Sequence, residues 1–142
     1  MEYTRNRKRG FTLVELLVVI LIITMLATLL VPNVIKKFGK AKKGLARAGM
    51  AQIEMALTDF YTDCGRLPTQ SEGLDALVNE PPALAEKWAS SYIKPKLLID
   101  PWGNPYDYRL PGTINADSYD LISYGADGTQ GGEGENEDIY NE

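Results

Sequence analysis

One stretch dictates where the rest of this chain can go. Residues 11–31, FTLVELLVVILIITMLATLLV, are apolar throughout except for a single charge, Glu15. A helix of these 21 residues is ~31 Å long at ~1.5 Å per residue, about the thickness of a bilayer's hydrocarbon core. A carboxylate placed in hydrocarbon costs at least ~2.5 kcal/mol, so it is read as functional and needs a partner. The preceding residues, MEYTRNRKRG, form a short basic leader that ends at Gly10. Cleavage between Gly10 and Phe11 would leave a free α-amine four residues from Glu15 and so create the missing cation.

Two plainer readings account for less. A cleaved secretory signal has an apolar region of ~7–15 residues followed by small residues in an A-x-A-like order. Here the run is longer and Val31-Pro32-Asn33 follows. A simple membrane anchor explains the length but leaves Glu15 without a partner. Gly10-Phe11-Thr12-Leu13-Val14-Glu15, followed by an unbroken apolar run, resembles the processing site of type IV pilins and pseudopilins. The resemblance implies that a membrane peptidase removes residues 1–10 and methylates Phe11. It also implies that Glu15 pairs with the α-amine of a neighbouring subunit in a filament.

Beyond this segment the helical period continues. Pro32 removes a backbone hydrogen bond and is expected to kink the helix rather than end it, because apolar residues resume at helical spacing. They are Phe38, Ala41, Leu45 and Ala48, then Ala46, Met50, Ile53, Leu57 and Phe60. Pilin-like proteins resemble the chain here too, with a proline at the matching position. Residues 11–31 are expected to span the membrane, and 32–62 to continue as an amphipathic helix. Up to about residue 45 nothing in the chain can cover the apolar side, so subunits must cover one another. From Ala46 to Tyr61 the stripe can bury against the chain's own head.

Charge is segregated along the sequence. Lys36, Lys37, Lys40, Lys42, Lys43 and Arg47 fall between 33 and 48 without an acid, whereas 17 acidic residues face 5 basic ones from Gly49 onward. A basic stretch beside a membrane attracts anionic phospholipid at ~1 kcal/mol per charge. Nucleic acid is disfavoured, since Phe38 is the sole aromatic nearby. Both flanks of the apolar helix are basic, so charge counting leaves its orientation open. Cys64 is the single cysteine, which excludes an internal disulfide and fits a small packed residue.

Residues 63–142 read as one small head. Asp63-Cys64-Gly65-Arg66-Leu67-Pro68 closes the long helix with Gly and Pro in the expected places. Thr69 or Ser71 can cap a short helix at about 71–79, and 83–90 can form another turn or two. Asp100-Pro101-Trp102-Gly103-Asn104-Pro105 is dense in turn residues. Tyr106–Leu110 and Ser118–Tyr124 read as the strands of a hairpin within a small antiparallel sheet laid on the helix. The fold class is therefore α+β.

The head motifs narrow the resemblance. Gly65-Arg66-Leu67-Pro68-Thr69, Glu72-Gly73-Leu74-Asp75-Ala76-Leu77-Val78, Asp100-Pro101-Trp102-Gly103-Asn104-Pro105-Tyr106 and Tyr124-Gly125-Ala126-Asp127-Gly128 are similar to the major pseudopilins of type II secretion systems. Type IVa pilins would be expected to carry a larger head closed by C-terminal cysteines. The resemblance to major pseudopilins implies a subunit that polymerises into a periplasmic filament driving export of folded proteins across the outer membrane. The implied partners are copies of itself, minor pseudopilins, the inner-membrane secretion platform and the prepilin peptidase. The implied location is the inner membrane of a Gram-negative bacterium, single-pass, with the head in the periplasm. The alternatives are a type IV or competence pilin forming a surface fibre, or a monomeric membrane-anchored calcium-binding module.

The last segment, from Gly125, holds five Gly, six carboxylates and no Lys or Arg. Composition alone describes an acidic disordered tail. Yet Ca²⁺ takes ~6–8 oxygen ligands, and a Gly-rich loop can turn its carbonyls inward. The span from Asp127 to Asp138 mimics an EF-hand loop, but Thr129 and Gly131 stand where ligands belong and no exit helix can follow. The resemblance to major pseudopilins instead implies a Ca²⁺ in the 124–142 loop. Its side-chain ligands would be Asp127 and Asp138, joined by the backbone of Tyr124 and Thr129; Glu135, Asn136 and Glu137 are secondary candidates. The chain departs from the family in ending Ile139-Tyr140-Asn141-Glu142, where relatives carry a Trp. With no His, no nucleophile beside a base and no phosphate loop, the inventory describes a building block rather than an enzyme.

Overall fold

The computed structural model describes residues 10–141, and for 31–36 the backbone alone. The leader, bar Gly10, lies outside the described residues, and Pro32 does not end the helix, whose backbone runs through it. The long helix α1 runs Leu13–Cys64. It begins in a capping box: the Thr12 hydroxyl accepts the Glu15 N–H at 3.2 Å, and the Glu15 carboxylate accepts the Thr12 N–H at 2.9 Å. It ends at Gly65, whose φ of 74° is left-handed and whose N–H bonds the Tyr61 carbonyl at 2.8 Å.

The chain divides into two compact units, residues 1–37 and 38–142. In the first, no part of Leu13–Leu30 is buried. Its hydroxyls are internally satisfied, Thr24 donating to the Ile20 carbonyl and Thr28 to that of Met25, each at 2.7 Å. Glu15 therefore remains the one charged group that the apolar span presents to its surroundings.

The second unit is organised on the C-terminal half of α1. Ala46, Met50, Ile53, Leu57, Phe60 and Cys64 are buried on one face, at the i, i+3, i+4 spacing that the sequence displays. Leu74, Leu77, Leu84, Ile93, Tyr106, Tyr108, Leu121 and Ile139 complete the core from the head. Phe38 and Leu45, on the other stripe, remain 64% and 63% exposed. The division of labour between the two stripes is as expected.

The sheet has three antiparallel strands in the order β1 (Asp107–Arg109), β2 (Asp120–Ser123) and β3 (Ile139–Tyr140). Tyr108 faces Leu121 across the expected hairpin, and Ile122 faces Tyr140. The strands are shorter than their sequence signals. Tyr106 donates its N–H to Leu98 instead, and the Gln70 carboxamide takes the outer edge of β1 by bonding the Tyr108 carbonyl at 3.0 Å and the Leu110 N–H at 2.7 Å. Strand β3 lies within the segment 124–142, which the sequence reads as a loop without a strand. Asn141 locks it by exchanging hydrogen bonds with Leu121 on β2, N–H to carbonyl at 3.1 Å and side-chain oxygen to N–H at 2.8 Å.

Strand β2 does not alternate as its sequence suggests; all four residues are buried. Asp120 is enclosed because it clasps the hairpin loop, accepting the N–H groups of Thr113, Ile114 and Asn115 and the Thr113 hydroxyl. Burial alone would raise its pKa, but these four donors outweigh it and hold the carboxyl well below the usual carboxylate range.

The two expected short helices are single 3₁₀ turns, Gly73–Leu77 and Pro82–Leu84, with a third at Pro95–Leu98. Gly73 has a φ of +59°, which no α-helix accommodates at its start. Thr69 does not cap the 3₁₀ turn itself, whose N-cap residue Glu72 makes no side-chain cap; instead Thr69 and Glu72 close the preceding turn with reciprocal bonds of 2.8 and 3.3 Å. Arg66 grips the same carboxylate at 2.7 Å with both terminal nitrogens. This grip and the Thr69 bonds hold the Glu72 pKa down at about 2.

Two predictions follow from the packing. The Tyr106 hydroxyl donates to the Ala46 carbonyl at 3.0 Å, and a Cβ on Gly49 would stand 2.4 Å from that hydroxyl oxygen. Tyr106→Phe should cost about 1 kcal/mol and Gly49→Ala should also lower the thermal midpoint. The double variant should lose less than the sum, because removing the hydroxyl makes room for the methyl. Glu72, ordinarily near 4.5 and held at about 2, stabilises the fold above its ordinary pKa, and this contribution fades as pH falls through about 2. Arg66→Gln should therefore be markedly less stable than wild type in denaturant titrations at pH 6, with the gap closing toward pH 2.

Candidate assembly and metal sites

Glu15 sits in the first turn of α1, and in the single chain it is not bare. Its Oε2 accepts both the Thr12 N–H and, at 3.0 Å, the Thr12 hydroxyl. Contrary to the expectation that this acid has no partner inside its own chain, the T-x-x-E pattern Thr12-Leu13-Val14-Glu15 forms a capping box. The box supplies neutral donors and no cation, so a charge partner still has to come from elsewhere. Phe11 is 86% exposed immediately before the box, and Gly10 before it is exposed too.

The C-terminal loop is compactly folded. Gly125, Gly128, Gly131, Gly132 and Gly134 all have left-handed φ between 65° and 99°, a run that side-chain-bearing residues would resist. The loop doubles back, with the Ala126 N–H on the Glu135 carbonyl at 2.9 Å and the Gly131 N–H on Asp138 Oδ2 at 2.9 Å. A Cβ on Gly125 would lie 2.5 Å from the Glu135 carbonyl oxygen, so the two limbs can approach only through glycine.

Asp127 and Asp138 stand at either end of this hairpin of loop. Asp127 accepts the Thr129 N–H at 3.1 Å in a turn of its own. Asp138 receives Gly131 and, at 3.3 Å, the Tyr140 hydroxyl on Oδ2, while its Oδ1 is buried with no hydrogen-bond donor. A buried carboxylate oxygen left unpaired is costly unless a cation meets it. Among the described residues no three acidic, His or Cys side chains converge, so an ion here would need backbone carbonyls as well. A site drawn from Asp127, Asp138 and carbonyls would offer oxygen donors alone, a set that suits Ca²⁺ and does not suit a softer metal.

The side chains of two secondary candidates face elsewhere, whereas Asn136 stays within the loop, packed against Gly132. Glu137 forms an ion pair with Lys43 of α1, which lowers its pKa. The Glu135 side chain lies where a Cβ on Gly39 would be, within 2.9 Å. Both carboxylates thus dock the loop on α1, one turn apart. Lys42 lies 5.8 Å from the centroid of the Trp102 ring. Two lysines of the basic stretch are therefore engaged with the head, while Lys37, Lys40 and Arg47 stay exposed. Cys64 is buried, its sulfur 4.0 Å from the Tyr92 hydroxyl, and packs as expected.

Comparison with known proteins covers both parts of the chain. Residues 33–142 match the family described as type II secretion system (T2SS), protein G, and residues 5–31 match the prokaryotic N-terminal methylation motif. The chain is 40% identical over 139 residues to the type II secretion system core protein G of Pseudomonas aeruginosa, covering 96% of each. It is 43% identical to that of Escherichia coli K12, covering 96% of this chain and 92% of the relative. Its fold is similar to the crystal structure of the major pseudopilin from the type 2 secretion system of enterohaemorrhagic Escherichia coli. The TM-score is 0.62 at 31% identity, over 78% of this chain and 94% of that one.

Proposed function

This chain belongs to the type II secretion system protein G family, and from that membership we propose how it acts as the major structural subunit of a type II secretion pseudopilus. The observation that carries the reading is the apolar span Leu13–Leu30, wholly unburied in the single chain and carrying one acid at its start. Lipid covers that surface before assembly, and neighbouring copies cover it afterwards. The surface fibre of a type IV or competence pilin is the disfavoured alternative, since the relatives that match are secretion proteins.

In the proposed sequence of events, the subunit waits as a single-pass inner-membrane protein with its head in the periplasm. Prepilin peptidase cuts between Gly10 and Phe11 and methylates Phe11. The platform then draws subunits into a periplasmic filament, with minor pseudopilins as further partners, and its growth drives folded proteins across the outer membrane. Glu15 exchanges its Thr12 donors for the α-amine of a neighbour, which neutralises the charge in lipid and sets the register. Lys37, Lys40 and Arg47 remain available to inner-membrane phospholipid headgroups.

Calcium is the proposed cofactor of the C-terminal loop. Asp127 and Asp138 would hold it, with backbone carbonyls from Tyr124 and Thr129, and the ion would convert repulsion among acids into cohesion. The unpaired Asp138 Oδ1 is the feature that supports it.

Each part has its own test. Glu15→Ala should insert into membranes normally yet yield no sheared or cross-linked filaments, because losing one member of a buried ion pair costs about 3–5 kcal/mol per contact; filaments at wild-type yield would overturn the pairing. Calcium at about 100 times its dissociation constant should stabilise the protein by about 2.7 kcal/mol. Asp138→Asn, or EGTA on the wild type, should abolish that gain in thermal unfolding, and an unchanged midpoint would overturn the calcium assignment.

A further inference from the structure

The turn Asp100–Asn104 touches the C-terminal loop beside Asp127. Asp100 is 5% exposed and organises the turn. Its Oδ1 accepts the N–H groups of Trp102 at 3.0 Å and Asn104 at 2.8 Å, and its own N–H bonds the Asn104 carbonyl at 2.7 Å. Its Oδ2 receives the Ser123 hydroxyl at 2.6 Å, which ties the turn to β2 just before the loop begins. The residue so held, Asn104, reaches out of the turn and donates its carboxamide N–H to the Gly125 carbonyl at 2.8 Å. The same carboxamide abuts Gly128, where a Cβ would stand 3.1 Å from its oxygen.

The carboxamide thus braces both Gly125 and Gly128, the two left-handed residues that bracket Asp127. A side chain two bonds beyond a rigid turn fixes where that limb of loop can lie. We propose that Asn104, held by Asp100, is a positioning residue for the Asp127 limb of the cation site. This rests on the calcium reading above. Asn104 touches no ion itself; it restricts the Gly125–Gly128 backbone, so that Asp127 and the neighbouring carbonyls are in place before the cation arrives. Groups that orient metal ligands from behind typically change affinity by about 10–100-fold when removed.

The test is calcium titration calorimetry on the full chain in detergent, with thermal unfolding in EGTA and in calcium. Asn104→Ala and the equal-sized Asn104→Asp should both weaken calcium binding about 10–100-fold. Asn104→Asp is the sharper arm. It adds an acid beside the site, which would tighten binding if charge were what mattered, yet it replaces the donor facing the Gly125 carbonyl with an acceptor. Both variants should lose more thermal stability in calcium than in EGTA, whereas a merely structural role would lower both midpoints equally. Affinities within twofold of wild type, tighter binding by Asn104→Asp, or equal losses in the two buffers would each overturn the proposal. If the wild type itself takes up no calcium, the calcium reading fails and this inference falls with it; Asp127→Asn, which should abolish binding, separates that outcome from failure of Asn104 alone.

Discussion

An apolar helix surface that the chain cannot cover by itself is the constraint from which the rest proceeds. Leu13–Leu30 is unburied along its whole length, and ~25 cal/mol per Å² of such surface sets a strong demand for lipid or for other copies of the same helix. The backbone is satisfied within the helix, and Thr24 and Thr28 return their hydroxyls to it. Glu15 is the one charge in the span, and it begins the helix in a capping box with Thr12. Local donors make the acid tolerable in a waiting subunit without neutralising it, and a cation presented by a neighbour would then be the stronger partner.

The head meets a different demand, that of a small domain which must build a core on half a helix. It does so with one stripe, Ala46 to Cys64, and reinforces thin secondary structure with side chains that stand in for backbone. Gln70 extends the edge of β1, Asp120 clasps the hairpin loop, and Asn141 completes β3. The acidic C-terminal loop is held in the same way, by glycines that let its limbs meet and by Lys43 and Asn104 from outside.

Periodicity made the long helix, its two stripes and the hairpin legible, because each is a repeating pattern over many residues. The C-terminal limb was not. Strand β3 is two residues long and depends on a side chain, Asn141, that no strand signal counts. The 3₁₀ turn Gly73–Leu77 reads as a helix in the sequence because the left-handed conformation of Gly73 is invisible in a residue count. For the candidate sites, the position of Glu15 and the pair Asp127 and Asp138 came from motif resemblance, and the unpaired Asp138 oxygen came only from the structure. Thr12-Leu13-Val14-Glu15 carried a readable capping box, whereas the link from Asn104 to Gly125 spans 21 residues and has no local signature.

The account's central claim is that a subunit becomes competent for assembly when its leader is removed and a new charged amine appears beside Glu15. Mass spectrometry of the N terminus in filaments isolated from cells tests it most directly. The claim predicts a chain beginning at Phe11 with one added methyl group. Filaments built from chains that retain residues 1–10 would contradict it.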